Sequence, residues 1–211
     1  MTILALEFSS ERRSVALARG ETVLAEAVEQ TASRGTNAFG LIDKVLTEGK
    51  ISREEIEAIA VGLGPGSYTS IRAAIALAQG WQLARGVKLL GVSSAEAIAA
   101  QAQAEKIVGR VNVLVNAQRG EFYLATWEIS IGGMMEISPL KIAAGTEVEL
   151  VKSAGEICIG PEQEKRIYPS AVQVVRLADK RTDFFPGESL EPIYLRETNF
   201  LKTPVRTEIK P

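Results

Sequence analysis

The segment Gly62-Leu63-Gly64-Pro65-Gly66-Ser67-Tyr68-Thr69 joins an apolar run to an alanine-rich stretch. Residues 56–63 have the apolar character of a buried strand, and residues 67–85 are rich in alanine, the best helix former. Glycines permit close backbone approach, and a helix N-terminus presents unpaired N–H groups. The pattern predicts a strand, a glycine loop and a long helix, in that order.

Two interpretations of this loop compete. Gly64, Gly66 and Ser67 are candidates for cradling a phosphate with backbone N–H groups, although the Lys and Ser/Thr ending of a P-loop is missing and the Rossmann spacing does not match. In the other interpretation the glycines only make a tight turn, and Ser67 or Thr69 satisfies amides at the start of the helix. The turn is the simpler account, and the sequence leaves both open.

Glu7 ends the first apolar run and is the one acidic candidate near such a site. With Ser9 and Ser10 after it, its carboxylate would orient a metal-bound phosphate if it faced the glycine loop. A lone carboxylate after a strand is more often a solvated or capping group, and spacing identifies no second acidic ligand. The sequence predicts no catalytic residue, no metal site and no cofactor.

The order of elements predicts a mixed α/β protein. Turn signals separate three antiparallel strands at residues 3–8, 14–18 and 21–28. They are followed by a helix with Gly49 at its C-terminus, a strand, the long helix, another strand and a helix capped by Ser93. The later part predicts strands at 111–115, 122–131 and 134–142, with a helix over 170–180. We therefore expect a larger lobe over residues 1–105 and a smaller one with an irregular tail over 106–211, compatible with the two-lobed actin, sugar-kinase and Hsp70-like (ASKHA) architecture.

Composition excludes several functions. The chain of 211 residues has no histidine, which removes an HExxH zinc site, a Ser-His-Asp triad and a Cys-His dyad. A net charge of −2 makes tRNA binding by the chain alone unexpected, and the cations Arg196, Lys202, Arg206 and Lys210 suit a solvated terminus better than an RNA contact. A single cysteine, no signal sequence and no run of about twenty apolar residues predict a cytoplasmic protein without a membrane span.

The long helix is apolar over more of its circumference than one sheet contact needs, which predicts that part of its surface meets another chain. Two stripes are available, and the sequence does not determine which faces inward; both being ordinary core is the alternative. The first stripe consists of Ala73, Leu77, Gly80 and Ala84. The predicted partner interface uses the second stripe and the preceding helix: Phe39, Ile42, Leu46, Ile71, Ala74, Ile75 and Ala78.

The order of motifs resembles the TsaB family, also called YeaZ, the short bacterial relatives of TsaD. Residues 3–10 are similar to the family's "ILAIDTS", and 58–79 to the region around "GRGPGSFTGVRIG". Residues 91–97 resemble "GVSTLEA", 116–123 resemble "DARRGEVY", and 191–196 resemble "EPVYLR". The resemblance spans nearly the whole chain.

Four positions depart from the family pattern. Glu7 and Asn116 stand where the family usually has aspartate, Ser70 replaces a glycine, and Arg34 lies near a position where many relatives carry histidine. These changes weaken a nucleotide-site interpretation without disturbing the fold.

The resemblance implies a two-lobed actin-like fold with a reduced second lobe and a non-catalytic role. TsaD-like proteins carry the metal-binding histidines and transfer the threonylcarbamoyl group to the adenosine beside the tRNA anticodon. TsaB-like proteins support TsaD as a heterodimer to which the ATPase TsaE also binds. The implied partners are thus a TsaD-like protein and, through the complex, a TsaE-like ATPase and tRNA; a homodimer of the free chain stays open.

Two enzymatic alternatives compete with this role. A small actin-fold ATPase or kinase acting alone would use Glu7 and the loop from Gly64 to Ser67. The glycoprotease activity once attributed to this superfamily would need a zinc site, which a chain without histidine cannot build with histidine ligands.

Overall fold

The first sheet is built from the apolar runs of the N-terminal half. The computed structural model of the protein describes residues 1–30 and 37–195; Arg34 and the four cations of the tail lie outside this range. The strands run in the order β3-β2-β1-β4-β5, and the three antiparallel strands predicted at the start of the chain are confirmed. β4 and β5 continue the sheet parallel to β1. The strands are β1 (Thr2–Glu7), β2 (Arg12–Arg19), β3 (Thr22–Gln30), β4 (Ala58–Gly62) and β5 (Lys88–Val92).

Helices cover both faces of this sheet. Two helices, α1 (Ala38–Gly49) and α2 (Tyr68–Arg85), share one hydrophobic core with one face of the strands. Between them, a 3-10 turn (Arg53–Glu55) is capped, since Ser52 N–H donates to the Glu55 carboxylate at 2.8 Å. A third helix, α3 (Ser94–Ala104), packs mainly against the second sheet, and the last helix, α5 (Ala171–Asp179), packs on the other face of the first sheet.

The end of α1 differs from the prediction. Gly49 is still helical, and Lys50 is the residue in the left-handed conformation, with φ 54°. A Cβ on Gly49 would lie 2.6 Å from Cδ2 of Leu17, so the glycine lets α1 pack closely on β2. The reason for a glycine at position 49 is therefore the close contact with Leu17, not a turn at the end of the helix.

The second sheet has the order β10-β9-β6-β7-β8. Its central hairpins follow the prediction, with a turn at Gly132, but the sequence analysis missed the helix α4 and the two short strands after it. α3 packs against this sheet as well as entering the first lobe, so it holds the two lobes together. The elements are β6 (Gly109–Gln118), β7 (Glu121–Ser130), β8 (Gly133–Ala144), α4 (Gly145–Ser153), β9 (Ile157–Gly160) and β10 (Lys165–Arg166).

The last helix and the segment after it follow the second sheet in the chain but pack on the first sheet. α5 packs on β1 and β2, and Ala171 N–H donates to Ser14 Oγ at 2.8 Å. The closing segment, residues 182–195, then runs along β5 and α2: Phe185 N–H donates to the Leu89 carbonyl at 2.9 Å. The first lobe therefore consists of residues from both ends of the described chain.

Within the part of the chain that the structure describes, no helix is both long and apolar enough to cross a bilayer.

Leu190 in the closing segment is 2% exposed and belongs to the core shared by α1 and α2. We expect Leu190→Ala to lower the free energy of unfolding by about 2–4 kcal/mol, because a buried leucine loses its contacts and leaves a cavity. Leu150→Ala is the matched control, since Leu150 is 72% exposed and should change stability by less than about 1 kcal/mol. Urea denaturation measures both; equal stabilities would mean that the closing segment does not contribute to the core.

Candidate functional site

The glycine loop connects β4 to α2 as predicted and is held by contacts within the chain. Gly64 has φ +90°, a conformation that favours glycine, and the peptide bond between Gly64 and Pro65 is cis. Gly66 lies so close to the β1–β2 turn that a Cβ on it would be 2.2 Å from the Ser9 carbonyl oxygen. Ser67 N–H donates to the same Ser9 carbonyl at 2.7 Å. The loop is thus clamped to the turn that follows β1.

Two of the backbone donors that a phosphate would need are already engaged. Gly64 N–H donates to Ser94 Oγ at 3.0 Å, and Ser67 N–H is used by Ser9. Ser94 N–H in turn donates to the Gly64 carbonyl at 2.7 Å. These contacts favour the tight-turn interpretation of the loop over the phosphate cradle.

Glu7 is fully buried where the loop meets α3. One carboxylate oxygen, Oε1, accepts from Ser9 N–H at 2.7 Å, and the other, Oε2, accepts from Ser94 Oγ at 2.8 Å. Burial raises the pKa of Glu7, while the hydrogen bonds from Ser9 and Ser94 act in the opposite direction. The side chain does reach the loop, as a phosphate site would require, but it forms an internal anchor with its oxygens turned away from solvent.

Sequence reasoning missed Ser94, which links Glu7, the loop and α3. Ser93 was expected to cap α3, and its Oγ does accept from Glu96 N–H at 3.5 Å. The neighbouring Ser94 is fully buried and exchanges two hydrogen bonds with Gly64. The sequence does show a second serine beside Ser93, but the role of Ser94 depends on Glu7, which lies 87 residues away in the chain.

The start of α2 carries a second polar cluster. Ser67 Oγ lies 3.0 Å from Ser70 Oγ, and the buried Arg13 of β2 places Nη2 3.4 Å from the same Ser70 oxygen. Ser70 is one of the departures from the family pattern, and here it links α2 to β2.

The hairpin between β6 and β7 lies across a cleft from the glycine loop. Asn116 Oδ1 accepts from Gln118 N–H at 2.7 Å, and Gln118 and Arg119 both have positive φ, so the polar segment between the two strands is a tight turn. The cleft has a volume of about 630 Å³ and is lined by this turn, the loop and the closing segment. Arg119 lies in the lining, at the boundary between the two lobes.

Six of the seven residues predicted for the partner interface are buried in the chain's own core. These are Ile42, Leu46, Ile71, Ala74, Ile75 and Ala78, whereas Phe39 is 68% exposed. On α2, Ile71 and Ile75 face the sheet together with Ala74 and Ala78, so this stripe is not at the surface of the free chain, and the partner interface stays a prediction. The solvent side of α2, called the outer face below, consists of Ala73, Ala76, Leu77, Gly80, Leu83 and Ala84; Leu77 is half-buried and the others are exposed.

Among residues 1–30 and 37–195, no group of three or more Cys, Asp and Glu side chains is placed to hold a metal ion.

The sheet order, the two lobes and the glycine loop beside the first strand define a protein of the actin, sugar-kinase and Hsp70-like class with a reduced second lobe, as the sequence predicted. The family model described as "TsaD: tRNA N6-adenosine threonylcarbamoyltransferase" matches residues 29–178. The chain belongs to this family and, within it, to the TsaB or YeaZ group.

Individual relatives agree with this assignment. The tRNA threonylcarbamoyladenosine biosynthesis protein TsaB of Escherichia coli is 28% identical over 225 residues, covering 93% of this chain and 95% of the relative. The protein of that name from Bacillus subtilis is 28% identical over 140 residues, covering 66% of this chain and 60% of its own length. The structure of YeaZ from Pseudomonas aeruginosa matches with a TM-score of 0.79 at 25% identity, and the match covers 92% of this chain and 100% of the YeaZ chain.

Replacement of the buried carboxyl group by an amide tests the role of Glu7. A carboxyl whose pKa is raised by folding stabilises the fold while protonated, and this contribution is lost as pH rises through the folded pKa. We expect Glu7→Gln to be folded and to gain stability relative to the parent chain as pH rises from about 4, the ordinary carboxyl pKa, towards 8. Urea denaturation across that range measures the difference; a stability difference independent of pH would show that burial does not perturb Glu7.

Proposed function

We propose that this chain is a non-catalytic subunit that binds a TsaD-like protein and supports it in forming threonylcarbamoyladenosine beside the tRNA anticodon. The names of its relatives indicate a role in tRNA threonylcarbamoyladenosine biosynthesis. The match to the model of the transferase family supports a partner of related fold. The proposal that the partner carries out the chemistry while this chain supports it rests on the geometry of the loop and of α2.

The observation that carries the non-catalytic role is the internal use of the candidate nucleotide site. Glu7 and the loop donors of Gly64 and Ser67 bond to Ser9 and Ser94. An enzyme would need these groups to face a phosphate or its metal ion across the cleft. Their present hydrogen bonds would have to be broken first, and each buried group left without a hydrogen bond would cost about 1–3 kcal/mol.

The outer face of α2 is the surface that best fits the partner. Its alanines and Gly80 permit the close approach of another helix, and Leu83, 91% exposed, adds an apolar side chain. Phe39 of α1 projects on the same side of the first sheet. An exposed apolar helix face suits a protein partner better than a small ligand.

The remaining partners follow from this arrangement. A TsaE-like ATPase and the tRNA would contact the complex, since a chain of net charge −2 has no excess of cations to hold RNA by itself. A homodimer through the outer face would compete with the TsaD-like protein for the same surface. We therefore expect the chain to work in the cytoplasm together with these partners.

Two adjacent alanines of α2, one exposed and one buried, provide a matched test. Ala73 is exposed on the outer face and Ala74 is fully buried. We expect Ala73→Arg to keep the fold but weaken binding of the TsaD-like protein by at least about tenfold, because a charge becomes buried in the interface. We expect Ala74→Arg to destabilise the monomer itself by about 3 kcal/mol or more, since the charge enters the core.

Thermal melting by circular dichroism and pull-down with calorimetry measure these effects. Ala154→Arg is the control for added charge, because Ala154 is exposed in the second lobe at the end of α4. If Ala73→Arg binds like the parent chain, the partner does not use the outer face.

The alternative function, a small actin-fold ATPase or kinase acting alone, has a direct test. We expect no saturable heat of ATP binding and no phosphate release above background for the isolated chain with magnesium, because Glu7 and the loop donors are engaged. Ser67→Ala controls for contaminating ATPases. Tight ATP binding with steady turnover that Ser67→Ala abolishes would favour the enzyme over the subunit.

A further inference from the structure

A groove of about 730 Å³ separates α2 from the closing segment. The segment is held along the helix at three points: Gln79 Nε2 donates to the Gly187 carbonyl at 2.7 Å, Leu190 is buried in the core, and Ile193 N–H donates to the Leu63 carbonyl at 2.8 Å. Between these points the backbone stands away from α2 and leaves the groove open.

Half-exposed aromatic rings line one end of the groove. Tyr68 at the start of α2 and Tyr194 in the closing segment are 50% and 48% exposed, with ring centroids 6.0 Å apart and planes tilted by 55°. The Arg72 guanidinium lies 5.6 Å from the centre of the Tyr68 ring. Tyrosine concentrates at the energetically important points of protein interfaces. This composition indicates a surface that is covered in a complex.

The wall formed by the closing segment is acidic. Glu188 and Glu191 both line the groove and are exposed, and neither makes an ion pair within residues 1–30 and 37–195. With Arg72 opposite, the lining carries two carboxylates and one cation. Carboxylates beside aromatic faces are the environment that a guanidinium or ammonium group prefers.

The groove is continuous with the outer face of α2. Ala76 belongs to both, and Gln79 of the groove wall lies one residue from Gly80. A protein docked on the outer face would therefore extend over the groove without a gap.

We propose that the groove receives an arginine or lysine side chain of the protein that docks on α2, held by Glu188 and Glu191 and flanked by the two tyrosines. This inference rests on the proposed function, because it adds a specific subsite to the proposed partner surface. The subsite supplies orientation: the small residues of the outer face allow close packing along the helix, and the cation determines at which position and in which direction the partner lies.

The test is the affinity of the full chain for the TsaD-like protein, measured by calorimetry at several salt concentrations. The double variant Glu188→Gln and Glu191→Gln keeps the shape of both side chains and removes both charges. We expect it to bind about tenfold more weakly at low salt, with a smaller loss of affinity as salt is raised. Arg72→Gln, which removes the competing cation, is expected to bind at least as tightly as the parent chain.

The control is the double variant Glu162→Gln and Glu164→Gln, which removes two exposed carboxylates between β9 and β10 in the second lobe and should bind like the parent chain. If the parent chain itself does not bind, the proposed function fails. If the parent chain binds and the groove variant has the same affinity and salt dependence, only the groove assignment fails. If the groove variant binds more tightly and Arg72→Gln more weakly, the occupant is anionic, such as RNA or an acidic segment, and the proposal is wrong.

Discussion

The buried carboxyl group of Glu7 determines how the centre of the first lobe is arranged. It lies between the end of β1, the glycine at the end of β4 and the first turn of α3. A Cβ on Gly62 would lie 1.8 Å from Glu7 Oε2, so a glycine at this position makes room for the longer side chain that replaces the family's usual aspartate. Burial of a carboxyl is costly unless its oxygens are hydrogen-bonded, and Ser9 and Ser94 supply those bonds. The same serines hold the glycine loop, so the start of α2 depends on this anchor.

The packing of α2 follows from the position of that start. With Ser67 bonded to Ser9, the helix is oriented so that Ile71 and Ile75 enter the core on this face of the sheet. Ile71 and Ile75 face inward with Ala74 and Ala78, and the outer face keeps Leu83 and several small residues in contact with solvent. The outward stripe is thus apolar without being needed for the fold, which is why it is available to another chain.

The closing segment connects the fold to the proposed interaction. It crosses back over β5 and α2 after the chain has completed the second lobe, and it contributes Leu190 to the first core. The segment also carries Glu188, Glu191 and Tyr194 into the groove beside the outer face. Part of the candidate docking surface therefore comes from the closing segment, which also lines the cleft between the glycine loop and the β6–β7 hairpin.

The elements and the family could be predicted from the sequence by itself, because their signals act over a few residues. The turns after β1 and β2, the glycine loop and the serine cap of α3 are local, and they gave the three antiparallel strands and the starts of α2 and α3. α4 was missed because its sequence has only one buried residue, Val148, and so shows no clear apolar periodicity.

Only the tertiary structure decided which side of α2 is core, where α5 and the closing segment pack, and that Glu7 bonds to Ser94. Alanine is apolar on every side of α2, so periodicity could not determine the inward face, although the size of Ile71 and Ile75 was a usable signal. The contacts of α5 with β1 and of Glu7 with Ser94 join residues far apart in the chain, and no local pattern specifies such pairs. Long-range packing, rather than local preference, thus decided which residues are buried and which remain available to a partner.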